Sequence, residues 1–310
     1  MKYNQDLKKL EWMLDAPDKH RQVPEEQYYG DLTVLNTDRS LLDTVGTEPL
    51  KKIANDAIDL LDTSVAIYEK NGDYAMGIFT SGWCRPMDTA SRKLCVNCSN
   101  KEALESGKWI CHESCWDCSK RALESGEIVD ESCEGGINLY AIPIIADNET
   151  IGVLSVGYGN PPEDEETLRE LSEKYNIPIE ELRENSKDYK KRPKYIEEIT
   201  KKRMRTSAEL IALLYRYKKD EEILLETRRN YNLAIKATDL GTWHWNIQTG
   251  ESTINNYWAQ MIGYTKEKLE PFTFDTWKKM IHPEDLQKCL NKIQEHFSGK
   301  SSRYECQFRM

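Results

Sequence analysis

Cysteine dominates the chemistry of this sequence, because seven of its nine cysteines fall between positions 84 and 133. Within that stretch the chain nearly repeats itself. Residues 95–107 are CVNCSNKEALESG, and residues 115–126 are CWDCSKRALESG. Each copy places a CxxC pair ahead of a short helical phrase that ends at a glycine. The pattern predicts a duplicated unit that carries metal-binding or otherwise chemically active thiols.

Two CxxC pairs can supply the four sulfurs of a tetrahedral thiolate site, since each pair contributes two ligands. We expect zinc or an iron–sulfur cluster on four sulfurs, with 16 residues between the two pairs. The predicted metal ligands are Cys95, Cys98, Cys115 and Cys118, and the further candidates are Cys84, Cys111 and Cys133. Redox-active or ligand-contacting thiols are a second interpretation, and plain packing is a third.

Three of these residues, Cys111, Cys115 and Cys118, also have the CxxxCxxC spacing of radical-SAM enzymes. The chain shows no sign of the repeated strand–helix units that form the barrel of those enzymes. Cys289 and Cys306 lie outside the cysteine-rich stretch, and their sequence neighbours suggest no chemistry. We expect neither haem nor flavin as a cofactor.

The first residues, MKYNQDLKKLEWML, contain no apolar segment of the kind that directs secretion. No stretch approaches the ~18–20 apolar residues that span a bilayer. We therefore expect a cytoplasmic protein with no membrane partner, in which thiols stay reduced. The formal net charge of −10 argues against a nucleic-acid partner.

Hydrophobic alternation predicts two antiparallel hairpins. The first joins Ser64–Tyr68 to Tyr74–Thr80, and the second joins Ile137–Ala146 to Ile151–Tyr158. The cysteine-rich stretch between them is mostly helical, and amphipathic helices follow the second hairpin. This order predicts an α+β fold with an antiparallel sheet. A long helix from about Lys194 to Lys236 then serves as a connector.

The last part of the chain carries four motifs in order. They are Gly241-Thr242-Trp243-His244-Trp245, Thr249-Gly250-Glu251, Asn256-x-Trp258-x2-Met261-Ile262-Gly263-Tyr264 and Ile281-His282-Pro283-Glu284-Asp285. Together they resemble the PAS family, which implies a five-stranded sheet with tryptophans in its core and His282 as a capping or packing residue. Ser301–Met310 would be the third strand, so we expect an incomplete PAS fold and a chain that is a fragment of a longer protein.

The part before the connector resembles the PocR family of sensory domains. The residues that carry this resemblance are Gly82-Trp83-Cys84-Arg85, Cys118, Cys133-Glu134-Gly135-Gly136, Tyr140-Ala141-Ile142-Pro143-Ile144 and Ile151-Gly152-Val153-Leu154. The resemblance implies a PAS/GAF-like sheet and a cytoplasmic sensor of small organic molecules, such as short diols, alcohols or hydrocarbon derivatives. Glu134 departs from the family pattern, which has histidine there. We take His112 as an exposed loop residue, with metal ligation as the alternative.

These observations predict four parts. They are a lead-in (1–30), a PocR-like domain (31–193) with a cysteine-rich insert (84–133), a connector helix (194–229) and a PAS domain (230–310) without its last two strands. The predicted ligand pocket is lined by Trp83, Cys84, Cys133 and Tyr140. We expect a non-catalytic, homodimeric sensor that passes a ligand, metal or redox signal to a missing output module. That output is a histidine kinase acting on a response regulator, with a diguanylate cyclase or DNA-binding regulator as other options. The rival functions are a zinc-bearing dimerisation adaptor and a radical-SAM-like enzyme.

Overall fold

The computed structural model describes residues 29–96 and 98–310. The chain divides into two compact units, of which the second begins at Glu222. The predicted lead-in falls almost entirely outside the described residues. In the part of the chain that the structure describes, no helix combines the length and apolarity needed to cross a bilayer.

Among the described residues, the first unit contains five strands and most of the helices. Its strands are β1 (Ser64–Glu69), β2 (Tyr74–Thr80), β3 (Val129–Ser132), β4 (Asn138–Ala146) and β5 (Glu149–Tyr158). Its helices are α1 (Ser40–Val45), α2 (Thr47–Leu61), α3 (Cys84–Lys93), α4 (Asn100–Glu105), α5 (Ile110–Ser125), α6 (Glu165–Tyr175) and α7 (Ile179–Asp188), with a short 3-10 helix at Leu32–Leu35. The long helix α8 (Lys194–Thr238) starts in this unit.

The strands form one antiparallel sheet in the order β2-β1-β5-β4-β3. Both predicted hairpins are present, with Val65 opposite Phe79 in the first and Ile142 opposite Leu154 in the second. The α+β prediction is therefore confirmed. The short edge strand β3 was not anticipated, because its four residues, VDES, are mostly polar and only alternate ones are partly buried.

Each face of the sheet is covered by its own hydrophobic core. One core joins the sheet to α1, α2 and α8, and we call this side the connector face. The other joins the sheet to α3, α5 and α6, and we call it the insert face. Successive strand residues alternate between the two, so Leu139 belongs to the insert core and Tyr140 to the connector core. The sheet thus separates the cysteine-rich insert from α8.

A buried carboxylate fixes the start of α1. Glu69, at the end of β1, is 0% exposed. It accepts hydrogen bonds from the backbone N–H groups of Leu41 (2.7 Å) and Leu42 (2.9 Å), in the first turn of the helix. These N–H groups have no partner inside the helix, so a side chain from the sheet satisfies them.

The second unit holds the hairpin of β6 (Trp243–Trp245) and β7 (Ser252–Ile254) and four helices. They are α9 (Asn256–Met261), α10 (Lys266–Leu269), α11 (Phe274–Met280) and α12 (Pro283–Phe297). Trp277 lies in the core, while Trp243 is 45% exposed and belongs to the hairpin surface. His282 caps α12 and accepts a hydrogen bond from the Glu284 N–H (3.4 Å), as expected of a capping histidine.

The predicted strand at Ser301–Met310 is wrong for this structure, because residues 301–310 form no strand ladder. The backbone groups of this segment bond to α12 and its cap instead. The Arg309 carbonyl accepts from the His282 N–H (2.9 Å), and the Arg309 N–H donates to Asp285 (2.9 Å).

We predict that Glu69→Ala lowers the free energy of unfolding by about 2–3 kcal/mol, because two buried N–H groups lose a charged acceptor. Glu69→Gln should cost less, since the amide oxygen still accepts. Urea unfolding curves measure both changes. Glu149→Ala is the matched control, because its ion pair with Lys70 is exposed and should contribute less than about 1 kcal/mol. Equal effects of the two alanine variants would contradict the capping role.

Candidate ligand-binding site

Helix α5 supplies three of the cysteines on the insert face. Cys111, Cys115 and Cys118 follow one another at intervals of four and three residues on α5, so all three project from the same side of the helix. All three are buried in the insert core. The spacing that suggested metal ligation is therefore also the spacing by which α5 packs against the sheet.

Four thiols lie in or against the insert core, and we call them the thiol cluster: the buried Cys111 and Cys115, and the half-buried Cys84 and Cys133. Burial is the main cause that raises the pKa of each of them. Electrostatic interaction with Cys133 raises the pKa of the other three further. All four are therefore neutral thiols at neutral pH, which behave as small apolar groups with weak donor capacity.

The turn at Gly135 and Gly136 packs against Trp83. The Trp83 indole Nε1 donates to the carbonyl of Gly135 (2.8 Å), and the Gly135 N–H lies 3.3 Å from the Cys133 sulfur. Gly136 has φ +83°, and a Cβ there would lie 3.1 Å from Pro162. Position 136 therefore requires glycine, whereas position 135 has room for a methyl group.

Among residues 29–96 and 98–310, two buried hydroxyls on the insert face, Tyr175 and Ser155, make no full hydrogen bond, and the only group that interacts with the Tyr175 hydroxyl in this way is the weakly bonding Cys111 thiol. A Cβ placed on Gly135 would lie 3.7 Å from the Tyr175 hydroxyl oxygen and 3.6 Å from the Cys133 sulfur, so these groups converge. Ser155 stands between Ala141 and Ala66 in the sheet, in a row of small side chains. Buried polar groups are nearly always bonded, so each of these hydroxyls calls for a further partner such as a water molecule or a polar ligand.

Asp88, on α3, is a buried carboxyl that sequence reasoning missed. It is 2% exposed and accepts a hydrogen bond from Trp109 Nε1 (2.8 Å). Burial raises its pKa to about 6. The Tyr29 hydroxyl is 2.9 Å from the Ile78 carbonyl and 3.2 Å from Asp88, yet it has one proton. A protonated Asp88 can donate to Tyr29 while Tyr29 donates to Ile78, which agrees with the raised pKa.

His112 corrects our expectation of an exposed loop histidine. It lies on α5, it is 7% exposed, and its Nδ1 is 2.7 Å from the Tyr74 hydroxyl. Burial lowers its pKa to about 4, so the ring is neutral at physiological pH. The helical repeat of α5 turns His112 toward Tyr74 of β2. The residues next to His112 in the sequence do not reveal this burial.

The structure brings together three of the four residues predicted to line the pocket. Trp83, Cys84 and Cys133 lie in the insert core, whereas Tyr140 lies in the connector core. Its hydroxyl accepts from Arg205 of α8. Strand β4 alternates between the faces, so Leu139 and Ala141 face the insert and Tyr140 faces away from it. Tyr140 therefore does not belong to this site.

The two CxxC pairs lie in different settings. Cys95 and Cys98 are in the connection between α3 and α4, where the Cys95 sulfur is 3.3 Å from Ser106 Oγ and Cys98 donates to the Val96 carbonyl. Cys115 and Cys118 are on α5, and burial together with Glu131 raises the pKa of Cys118 to about 12. Among residues 29–96 and 98–310, no three Cys, His, Asp or Glu side chains form a metal-holding group. The four-thiolate site stays a prediction.

Two family models match the chain. The model described as a sensory domain found in PocR matches residues 43–221, and that described as a PAS fold matches residues 251–310. The chain belongs to the PocR sensory-domain family. The PocR match includes β1–β5, the cysteine-rich insert and the first part of α8. No curated protein and no solved structure matches the chain. A PocR domain followed by a PAS fold is the organisation of a signalling sensor.

We predict that Asp88→Asn removes a pH-dependent loss of stability. The unfolded carboxyl ionises near pH 4 but the folded one near pH 6, so Asp88 destabilises the fold as pH rises between these values. Above pH 6 the asparagine variant should be more stable than the wild type by about 3 kcal/mol. Urea unfolding at pH 4 to 8 measures the difference.

The titration of His112 changes the stability in the opposite direction. The pKa of His112 is about 4 in the folded protein and about 6.5 in the unfolded chain, so the free energy of unfolding rises with pH between these values. The difference between wild type and Asp88→Asn cancels this contribution, since both proteins retain His112. A difference that stays constant from pH 4 to 8 would show that Asp88 ionises as it does in the unfolded chain.

Proposed function

We propose that this protein is a cytoplasmic sensor whose PocR domain binds a small, uncharged, hydroxylated organic molecule on the insert face. The observation that carries the proposal is that two buried hydroxyls, Tyr175 and Ser155, make no full hydrogen bond with the described residues, on a face that also holds neutral thiols and Trp83. A ligand hydroxyl can both donate and accept, so it can satisfy such groups. The ligand class is a short diol, an alcohol or a hydrocarbon derivative.

The electrostatics of the site favour a neutral ligand. The four thiols are protonated at neutral pH, and the nearest buried carboxyl, Asp88, has its pKa raised to about 6. Binding an ion here would require desolvating its charge beside neutral groups, which is costly. A diol or alcohol instead offers one or two hydroxyls and a short apolar chain, which suit Tyr175 and Trp83.

Metal or redox state is the second candidate signal, because the four thiols of the thiol cluster all pack in or against the insert core. Zinc or an iron–sulfur cluster would need those thiols to lose their protons and to move into a tetrahedral arrangement. The rival proposal of a zinc-bearing dimerisation adaptor rests on the predicted ligands Cys95, Cys98, Cys115 and Cys118, with the thiol cluster as a source of alternative ligands. Metal analysis of anaerobically purified protein tests both, since an iron–sulfur cluster absorbs visible light and zinc does not.

The segment before α8 connects the site to the connector helix. Tyr189, in the insert core, donates from its hydroxyl to the Leu61 carbonyl (2.6 Å) at the end of α2. Arg192, two residues before α8, is 6% exposed and donates from Nε to the Leu60 carbonyl (2.9 Å). Both residues therefore anchor the start of α8 to the end of α2.

The same anchor reaches the turn at Ser81 and Gly82, which directly precedes α3 and Cys84. The Arg192 guanidinium lies 3.9 Å from Asp62, and Asp62 accepts a hydrogen bond from Ser81 Oγ (2.5 Å). Gly82 touches Asp62 so closely that a Cβ would lie 2.3 Å from the Asp62 carbonyl oxygen. A shift of Trp83 and Cys84 on ligand binding would therefore press on Asp62 and, through it, on Arg192.

We propose that this anchor converts ligand occupancy into a movement of α8. A ligand shifts such an equilibrium only by its difference in affinity for the two states, typically about 1–3 kcal/mol. The movement would bias a downstream histidine kinase that acts on a response regulator. We further propose that the sensor works as a homodimer, since the stripe of Leu210, Tyr217, Leu224 and Tyr231 on α8 is exposed at heptad spacing.

We predict that Tyr175→Phe weakens the binding of short diols and alcohols about tenfold, because one hydrogen bond to the ligand is lost. Isothermal titration calorimetry across a panel of these compounds measures the change. Tyr140→Phe is the matched control and should leave the affinity unchanged, since Tyr140 faces α8. An unchanged affinity in Tyr175→Phe, or equal losses in both variants, would place the ligand elsewhere.

We predict that Arg192→Lys uncouples α8 from the site. Lysine keeps a charge near Asp62 but cannot reproduce the guanidinium Nε donor to Leu60, so ligand affinity should stay within about twofold while the response of α8 shrinks. Hydrogen exchange of residues 194–221, with and without ligand, measures that response. Arg203→Lys is the control, because Arg203 is on α8 but pairs with the partly exposed Asp56. If the ligand changes the hydrogen exchange of residues 194–221 as much in Arg192→Lys as in the wild type, Arg192 does not transmit the signal to α8.

A further inference from the structure

Two cysteines of the second unit lie in contact. Cys289 is on α12, and Cys306 is in the segment 301–310 that follows it. Their sulfur atoms are 3.4 Å apart. Cys289 is 0% exposed, while Cys306 is partly exposed to solvent. Sequence reasoning missed this pair, because 17 positions separate the two residues and neither has a recognisable motif.

The separation is short enough for a covalent bond after a small adjustment. A disulfide has a sulfur–sulfur distance of about 2.05 Å, so the two atoms need to approach by roughly 1.4 Å. Other contacts hold the segment beside α12 at this position. Arg309 donates to Asp285 from both its backbone N–H and its Nε, each at 2.9 Å, and Lys288 Nζ donates to the Gln307 carbonyl at 3.1 Å.

The two sulfurs differ in access. Burial and the neighbouring Cys306 raise the pKa of Cys289, so Cys289 stays a protonated thiol in the reduced protein. The partly exposed Cys306 is the sulfur that a dissolved oxidant reaches first. In such a pair the accessible thiol can attack a dissolved oxidant and form a mixed disulfide. The buried neighbouring thiol can then attack that mixed disulfide and complete the bond within the protein.

We propose that Cys289 and Cys306 form a reversible disulfide when the chain meets a small-molecule disulfide such as oxidised glutathione. Cys306 gives up its proton and attacks one sulfur of the oxidant, which forms a mixed disulfide and releases one glutathione thiol. Cys289 then gives up its proton and attacks the Cys306 sulfur, which releases the second glutathione thiol. The two cysteines are oxidised by two electrons, one oxidised glutathione is reduced to two thiols, and the protons balance.

The bond would fasten segment 301–310 to α12. A cross-link between positions 289 and 306 restricts the unfolded chain and also stops this segment from detaching in the folded one. Oxidation should therefore slow the amide hydrogen exchange of residues 301–310 by about tenfold or more, and a reducing agent should restore the original rate.

The test uses the whole 310-residue chain, treated with oxidised glutathione, alkylated and digested with trypsin. The sequence predicts peptides 289–292 (CLNK) and 304–309 (YECQFR), and their linked mass reports the disulfide directly. We expect the linked peptide in the wild type and in Cys98→Ser, a control outside the pair. Cys289→Ser should instead leave glutathione attached to Cys306, because the resolving thiol is gone.

Three results would overturn the proposal. The first is that the wild type keeps a stable glutathione adduct on Cys306 without the 289–306 link. The second is that Cys289→Ser shows no adduct on Cys306, which would mean that the oxidant does not reach that sulfur. The third is that both thiols remain free at glutathione concentrations that oxidise other cysteines of the same chain.

Discussion

A sheet with two apolar faces has to be covered twice, and this requirement organises the first unit. Strands β4 and β5 are buried along nearly their whole length, so neither face can meet water. Helices α1, α2 and α8 cover one face, and the cysteine-rich insert covers the other. The insert therefore has a structural role as the layer that covers this face. Its thiols lie against the sheet because α5 must bury one of its sides.

The same layering gives the sensor a physical basis for communication. Ligand-facing and connector-facing side chains alternate along the same strands, so the sheet is shared by both cores. At one edge, Asp62 and Arg192 pair beneath the surface and join the turn before α3 to the segment before α8. A buried pair of this kind tolerates little displacement of either partner, because a separated buried charge is costly. This contact is the physical basis for our proposal that movement at Cys84 is transmitted to Arg192.

Much of this fold could be predicted from sequence, because the signals involved are local. Alternating apolar residues and turn residues predict both hairpins, and they are present. What could not be predicted depends on tertiary placement. The face on which Tyr140 lies is set by strand register, and the burial of His112 and Asp88 is set by the packing of α5 and α3. Strand β3 carries too few apolar residues to be recognised.

Cysteine spacing is the clearest example of this limit. Intervals of four and three residues bring thiols to one side of a helix, where they can bind a metal, contact a ligand or fill a core. The sequence cannot separate these uses. Nor does it show that Cys289 and Cys306 meet, since that contact depends on how segment 301–310 lies on α12.

The central claim is that the ligand binds on the insert face, among the thiols. The most direct test is residue-resolved thiol alkylation, followed by mass spectrometry, with and without a saturating short diol or alcohol. We expect bound ligand to slow the alkylation of Cys84 and Cys133 severalfold and to leave Cys98 and Cys306 unchanged. Equal rates at Cys84 and Cys133 with and without a ligand that calorimetry shows to be bound would contradict the account.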